Sequence, residues 1–125
     1  MRAGTILVVE DDLTQAKTLA ELLHLWGYET ALALDGVEAL MKVGELSPSL
    51  VIADMRMPRL NGLGLLREMR ERFPGVRCIL ISGQSTLDEA IEGIGLGAYR
   101  FLEKPIDPGR LQLEIRSCLQ QNSVN

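Results

Sequence analysis

The stretch Thr5-Ile6-Leu7-Val8-Val9-Glu10-Asp11-Asp12 decides the fold. Apolar, largely β-branched residues run to Val9 and stop abruptly at the acids. An apolar run of this length, bounded so sharply, suits a strand buried on both faces of a parallel sheet. The pattern recurs. Leu50-Val51-Ile52-Ala53 ends in Asp54, Cys78-Ile79-Leu80-Ile81 ends in Ser82-Gly83, and Phe101-Leu102-Glu103 ends in Lys104-Pro105. In an open parallel sheet the carboxyl ends of all strands share one edge, and ligands bind there. Carboxylates, a hydroxyl and an ammonium group distant in sequence are thereby brought into one pocket. That mixture suits metal-assisted phosphoryl chemistry.

Between these runs, apolar residues recur at helical spacing. Strands and helices alternate five times, which predicts βα units around a parallel sheet. Asp12 caps a first helix from Leu13 to Trp26, with Gln15 reaching back to it. Ala16, Leu19, Ala20 and Leu23 form its buried stripe, and Gly27 ends it in a left-handed conformation. A second strand covers Glu29 to Leu34. Asp35, paired with Glu38, caps a second helix whose apolar side is Val37, Leu40, Met41 and Val43. Ser47-Pro48 turns the chain into the third strand. A third helix spans Gly62 to Phe73, stopped by Pro74-Gly75. The fourth strand covers Val76 to Ile81. Ser85 with Asp88 caps a fourth helix through Ala90, Ile91 and Ile94. Gly93, Gly95 and Gly97 weaken its end, at about 1 kcal/mol per interior glycine. The fifth strand lies over Tyr99 to Glu103, and Asp107-Pro108 opens a last helix to about Leu119. The polar tail Gln121 to Asn125 is expected to fray.

At 125 residues the chain reads as a single domain over 1–125, with a core over about 5–120. A domain of this size buries roughly two-thirds of its unfolded surface. The formal net charge of −4 gives no bulk reason to bind nucleic acid, and no basic stripe offers a DNA-reading element. No apolar stretch reaches the ~18 residues of a membrane span. Met1-Arg2-Ala3-Gly4 runs straight into a strand, so no signal peptide is expected and the cytoplasm is the expected location. Cys78 and Cys118 have no metal-ligand spacing and read as reduced thiols. His24, the one histidine, falls off the buried stripe and reads as exposed. Trp26 reads as core or boundary packing.

Glu10, Asp11 and Asp54 on one sheet edge are an electrostatic problem. Two carboxylates ~4 Å apart repel by roughly 4 kcal/mol at an effective dielectric near 20. A hard, partly hydrated cation such as Mg²⁺ offsets this, and Lys104 adds a second positive charge. Asp12 reads as a helix cap instead.

The chain resembles a response-regulator receiver domain of two-component signalling over almost its whole length. The resemblance is carried by Val8-Val9-Glu10-Asp11, by Asp54-Met55-Arg56-Met57-Pro58 with Asn61-Gly62, by Ser82-Gly83 and by Lys104-Pro105. Ile81-Ser82-Gly83-Gln84 and Gly97 through Pro105 are most similar to receivers of AAA+ transcriptional activators. The resemblance implies a doubly wound α/β fold with strand order 2-1-3-4-5, a flavodoxin-like three-layer sandwich; periodicity alone does not give that order. It implies Asp54 as phosphoacceptor, supplied by a sensor histidine kinase or phosphotransfer protein. Mg²⁺ would be held by Asp11, Asp54 and the Arg56 backbone carbonyl, with Glu10 acting through a coordinated water. Lys104, the Ser82 hydroxyl and the Gly83 amide would bind phosphoryl oxygens, across a cis Lys104-Pro105 bond. Ser82 and Phe101 would form the switch, although Phe101 also reads as a plain core aromatic. The switching face would be the fourth helix, fifth strand and fifth helix. There Glu89, Glu92, Arg100, Glu103, Arg110 and Arg116 could supply ion pairs for a homodimer on phosphorylation. Arg56 either contacts the phosphoryl group and tunes hydrolysis or points to solvent. An effector domain outside the chain is open. The resemblance implies self-phosphorylation and autodephosphorylation without turnover of an external substrate.

Competing readings fit less well. An aspartate-nucleophile hydrolase of the haloacid dehalogenase class needs a second aspartate two residues beyond the first, where this chain has Arg56. A flavodoxin-type flavin site needs a hydroxyl-rich phosphate loop, where Glu10-Asp11-Asp12 would repel phosphate. A receiver-like module that no longer takes phosphate would lack part of the acceptor set, which is complete here.

Overall fold

The computed structural model describes residues 4–121, the side chain of Gln121 excepted. The expected fraying of residues 122–125 lies outside these. The elements alternate as β1 (Thr5–Val9), α1 (Leu13–Leu25), β2 (Glu29–Ala33), α2 (Gly36–Leu46), β3 (Leu50–Asp54), α3 (Gly62–Arg72), β4 (Arg77–Ser82), α4 (Leu87–Gly95), β5 (Arg100–Glu103) and α5 (Pro108–Gln121). The strands form one parallel sheet in the order β2-β1-β3-β4-β5. β3, at its centre, is buried throughout. This is why its sequence is continuously apolar rather than alternating. β2 lies at an edge and is only partly covered.

Side chains on the two sheet faces build two cores. One joins Leu7, Val9, Val51, Ala53 and Leu80 to Val43 of α2 and Leu65, Leu66 and Met69 of α3. The other joins Ile6, Val8, Ile52 and Ile79 to Ala16 and Leu23 of α1 and to Leu111, Ile115 and Cys118 of α5. The result is the expected three-layer sandwich. Cys78 and Cys118 are both buried and free, and burial pushes the Cys78 thiol up to about 12, which makes it inert. His24 is exposed, Trp26 packs half-buried on the second core, and Gly27 takes φ 98° after α1. Among the described residues no helix is long and apolar enough to cross a membrane.

Two helices differ from expectation. In α2, Val37 and Met41 are 39% and 61% exposed, and the inward stripe is Gly36, Ala39 and Val43. Small residues allow that helix to lie close to the sheet. In α4 the cap is one residue later than Ser85. Thr86 Oγ1 accepts from Glu89 N at 3.1 Å and Glu89 Oε1 accepts from Thr86 N at 3.0 Å, a complete capping box. Ile91 and Ile94 face outward, 60% and 51% exposed, and Gly93 is the buried residue of the helix. A Cβ at Gly93 would lie 3.0 Å from Leu80 Cδ1, so the glycine permits α4 to close on β4.

Candidate functional site

The strand register assembles the site. Val9 pairs with Ala53, Asp54 with Ile81 and Ser82 with Glu103. The ladder then continues into the loops, with Met55 N donating to Ile81 O at 2.8 Å and Lys104 N donating to Ser82 O at 2.8 Å. Glu10, Asp54, Ser82 and Lys104 therefore leave four neighbouring strands at one level. The Lys104–Pro105 bond is cis, as the resemblance implies.

Lys104 is the hub. Its Nζ donates to Asp54 Oδ2 at 2.7 Å, Glu10 Oε1 at 3.0 Å and Gln15 Oε1 at 2.9 Å. The Glu10 and Asp54 side chains are each only 9% exposed, and that of Lys104 is 25% exposed. Asp54 Oδ1 accepts from Arg56 N at 3.0 Å, and Glu10 Oε2 accepts from Asp12 N at 3.0 Å. Beneath the three side chains lies a cavity of about 50 Å³ with an apolar floor that includes Val8, Ile52 and Ile81. Beside Lys104 an apolar groove of about 350 Å³ opens between α1 and the β5–α5 connection.

The two carboxyls titrate apart. Burial pushes Glu10 up, its hydrogen bond to Asp54 adds to this, and together they outweigh the pull of Asp12 N and Lys104, leaving it at about 7. Burial also pushes Asp54 up, but hydrogen bonds from Glu10, Lys104 and Arg56 N hold it below the usual carboxylate range. Burial lowers Lys104, yet Asp54 and Glu10 outweigh this and hold it above its ordinary value. Burial and the neighbouring Asp54 thus make Glu10 the more readily protonated of the two carboxyls, while Asp54 is the more readily charged.

A pH dependence follows. Unfolded, Glu10 releases its proton near 4.5; folded, it keeps it to about 7. The folded chain binds more protons between those values, so in divalent-free buffer this group's stabilisation is lost as pH rises through 7. Asp54 acts oppositely, losing its contribution as pH falls below 3.8. Thermal melts from pH 4.5 to 8 check this. Asp54→Asn shrinks the fall without abolishing it, because burial of Glu10 remains; an unaltered slope contradicts the coupling.

Ser82 is 1% exposed, and its Oγ has no hydrogen-bond partner among the described residues. A buried hydroxyl left without a partner costs about 1–3 kcal/mol, which marks it as awaiting one. Gly83 follows at the surface, with Lys104 Cδ 3.7 Å from where its Cβ would be. Phe101 is half-buried on β5, next to Gly93 of α4. Asp11 is exposed and stays outside the cluster; among the described residues no group of three or more Asp, Glu, His or Cys side chains converges as a metal cage.

Arg56 neither reaches into the pocket nor points freely to solvent. Its guanidinium donates to Glu89 Oε1 at 2.8 Å and to Gln84 O at 3.3 Å, tying the loop after Asp54 to the start of α4. Arg67 pairs with Glu92, and Arg70 donates to Gly95 O at 3.0 Å. Arginines of α3 and its preceding loop thus hold α4 from one side. Glu89 and Glu92 are engaged within the chain, and Arg100 and Arg110 both pair with Glu114. Gln15, which sequence reasoning gave only to the α1 cap, is an unforeseen member of the site.

A parallel α/β sandwich whose carboxyl edge gathers acids, a lysine and an orphan hydroxyl defines a class of acceptor domain built for an anionic group. Residues 6–116 match the response regulator receiver domain, and the chain belongs to that family. It is 39% identical over 120 residues to the transcriptional regulatory protein ZraR of Klebsiella oxytoca, covering 96% of this chain and 27% of the relative. It is 34% identical over 117 residues to the DNA-binding response regulator MtrA of Mycolicibacterium paratuberculosis, covering 94% of this chain and 52% of the relative. The receiver domain of NtrX from Brucella abortus superposes with a TM-score of 0.86 at 36% identity, covering 92% of this chain and 98% of that one. The chain therefore spans between about a quarter and a half of the length of these curated relatives. It is a receiver domain of two-component response regulators, a signalling family.

Proposed function

We propose that Asp54 accepts a phosphoryl group from a phosphohistidine on a sensor histidine kinase or phosphotransfer protein, and that the acylphosphate switches the face formed by α4, β5 and α5. The observation that carries this reading is the pairing of a charged, hydrogen-bonded Asp54 with Lys104 beside the unpartnered Ser82 hydroxyl. An Asp54 carboxylate oxygen forms the new bond to phosphorus, and the bond to the donor nitrogen breaks with its electron pair leaving on that nitrogen. Charge in such a transfer spreads over the equatorial oxygens, so positioned donors do most of the catalysis. Lys104 Nζ, Ser82 Oγ and the Gly83 amide supply them. The groove beside Lys104 gives a donor protein an apolar surface next to the acceptor.

The donor set fits Mg²⁺. Glu10, Asp11, Asp54 and the Arg56 backbone carbonyl would be the oxygen donors, with waters completing the shell of an ion that dehydrates reluctantly. When bound, the ion neutralises charge between the acceptor and the incoming phosphoryl group. Intact mass after incubation with acetyl phosphate tests the reading. One phosphoryl group is gained with Mg²⁺ and none without it; gain that ignores Mg²⁺, or none at all, contradicts it.

The output follows from the environment of Ser82. Its hydroxyl moves toward the phosphoryl group, Phe101 turns into the space left, and α4 shifts. Leu87, Ile91 and Ile94 give α4 an exposed apolar stripe, which favours a homodimer there over one built on ion pairs. Effector function belongs to segments like those carried by the longer relatives, and the cytoplasm is the setting such kinases require. The site has self-phosphorylation and autodephosphorylation but no turnover of an external substrate.

Arg56, tied to Glu89 and Gln84, stands over the loop between acceptor and α4. Arg56→Ala releases the loop after Asp54 from the start of α4 and changes the acylphosphate lifetime. An exposed ion pair is worth up to about 1 kcal/mol, so the effect is about 5-fold or less. A lifetime equal to wild type contradicts the role.

A further inference from the structure

We propose that Gln15 is a positioning residue for Lys104, its side-chain amide oxygen being the neutral acceptor that fixes the ammonium at the mouth of the pocket. The inference rests on the phosphoacceptor reading of the site and deepens it. By sequence, Gln15 belongs to a capping box and would bond the Asp12 backbone N–H. In the fold that N–H is donated to Glu10 Oε2 at 3.0 Å, which frees the glutamine for another task. Gln15 Nε2 instead donates to Asp12 Oδ2 at 3.2 Å, and Gln15 N donates to Asp12 Oδ1 at 3.1 Å. With its nitrogen turned to that carboxylate, the amide oxygen faces the opposite way, where Lys104 Nζ donates to it at 2.9 Å. Lys104 Nζ also donates to Glu10 Oε1 at 3.0 Å, which closes a ring through Glu10, Asp12, Gln15 and Lys104.

An ammonium group has three donors and no acceptor. Those of Lys104 go to Asp54, Glu10 and Gln15. The two carboxylates are the partners that must change when a phosphoryl group and a cation enter, because both take up carboxylate oxygens. Gln15 stands on α1, outside that exchange. It holds the ammonium in place without adding negative charge to a pocket that receives an anion. A carboxylate there would hold Lys104 as well but repel the phosphoryl group. An apolar side chain would leave Lys104 free to swing out along its four-carbon stem.

Beryllofluoride, which occupies a phosphoacceptor aspartate as a phosphoryl group does, reads this by calorimetry in the presence of Mg²⁺. The cycle compares wild type, Gln15→Met, Lys104→Met and the double variant. Gln15→Met weakens beryllofluoride affinity by about 5-fold, the loss of one hydrogen bond to a charged group. In the Lys104→Met background the same substitution has no further effect, because the residue it positions is gone. Wild-type affinity in Gln15→Met overturns the proposal. So does an equal loss in both backgrounds, which would assign Gln15 to the α1 cap alone. Failure of the wild type to bind beryllofluoride sinks the phosphoacceptor reading itself, and the inference with it. Thermal melting accompanies each variant, and the α1 cap through Asp12 Oδ1 survives in Gln15→Met because it uses the backbone N–H.

Discussion

Asp54→Asn takes up no phosphoryl group from acetyl phosphate and Mg²⁺, while it folds as the wild type does. The side chain is nearly isosteric, so the cavity beneath it and the buried ends of β3 and β4 are undisturbed. What changes is chemistry: an amide oxygen is too poor a nucleophile to attack phosphorus, and the negative charge that Lys104 pairs with is lost. The native carboxylate accepts from Arg56 N on one oxygen and from Lys104 on the other. Asparagine has one acceptor oxygen, so one of those donors goes without. That cost, about 1–2 kcal/mol, is opposed by the removal of a carboxylate from beside Glu10. The melting temperature therefore moves little while the adduct disappears. An adduct of wild-type yield in this variant would place the acceptor elsewhere.

Lys104→Met is the second large effect. The substitution keeps the apolar stem and removes the ammonium. Both Glu10 and Asp54 lose their shared cation, at 3.0 and 2.7 Å, and face each other without it. Glu10 then holds its proton more tightly, and Asp54 rises from its depressed value. The phosphorylation rate falls by about 10²-fold or more, as expected when a preorganised donor to the transferring group is removed. Removing an acid's cationic partner also destabilises the metal-free protein at neutral pH. Added Mg²⁺ recovers much of that stability, since it replaces the missing charge, but not the rate, which needs a donor on the phosphoryl oxygens. Rate measurements at saturating Mg²⁺ beside melts with and without the ion check both halves. A variant that phosphorylates within about 3-fold of wild type would remove Lys104 from the mechanism, since a single charge-assisted hydrogen bond already carries more than that.

The strands and their order of chemistry were legible because each apolar run ends where its functional residue begins. Val9, Ala53, Ile81 and Glu103 all stop at the same sheet edge, so reading the ends was equivalent to reading the site. α4 was less legible. Ile91 and Ile94 recur at helical spacing and look like a core stripe, yet a stripe that faces solvent has the same period as one that faces the sheet. What sets the orientation is Gly93 against Leu80, a contact without an apolar signature of its own. The one-residue shift from Ser85 to Thr86 has the same origin, since adjacent hydroxyl residues are equivalent caps until the inner face is known. Gln15 and Arg56 make contacts that were not legible for another reason. Their partners are 89 and 33 residues away, and no local pattern encodes a side chain reaching that far. Local chemistry accounted for only the near half of Gln15, at the α1 cap, and for nothing of the Arg56 backbone N–H on Asp54.

The crystal structure of the chain with Mg²⁺ and beryllofluoride tests the central claim most directly. The account predicts the adduct on an Asp54 carboxylate oxygen, with Lys104 Nζ and Ser82 Oγ both within hydrogen-bond distance of fluorine and the ion held beside Asp54. An adduct on another residue, or one on Asp54 with the Ser82 hydroxyl still lacking a partner, would contradict it.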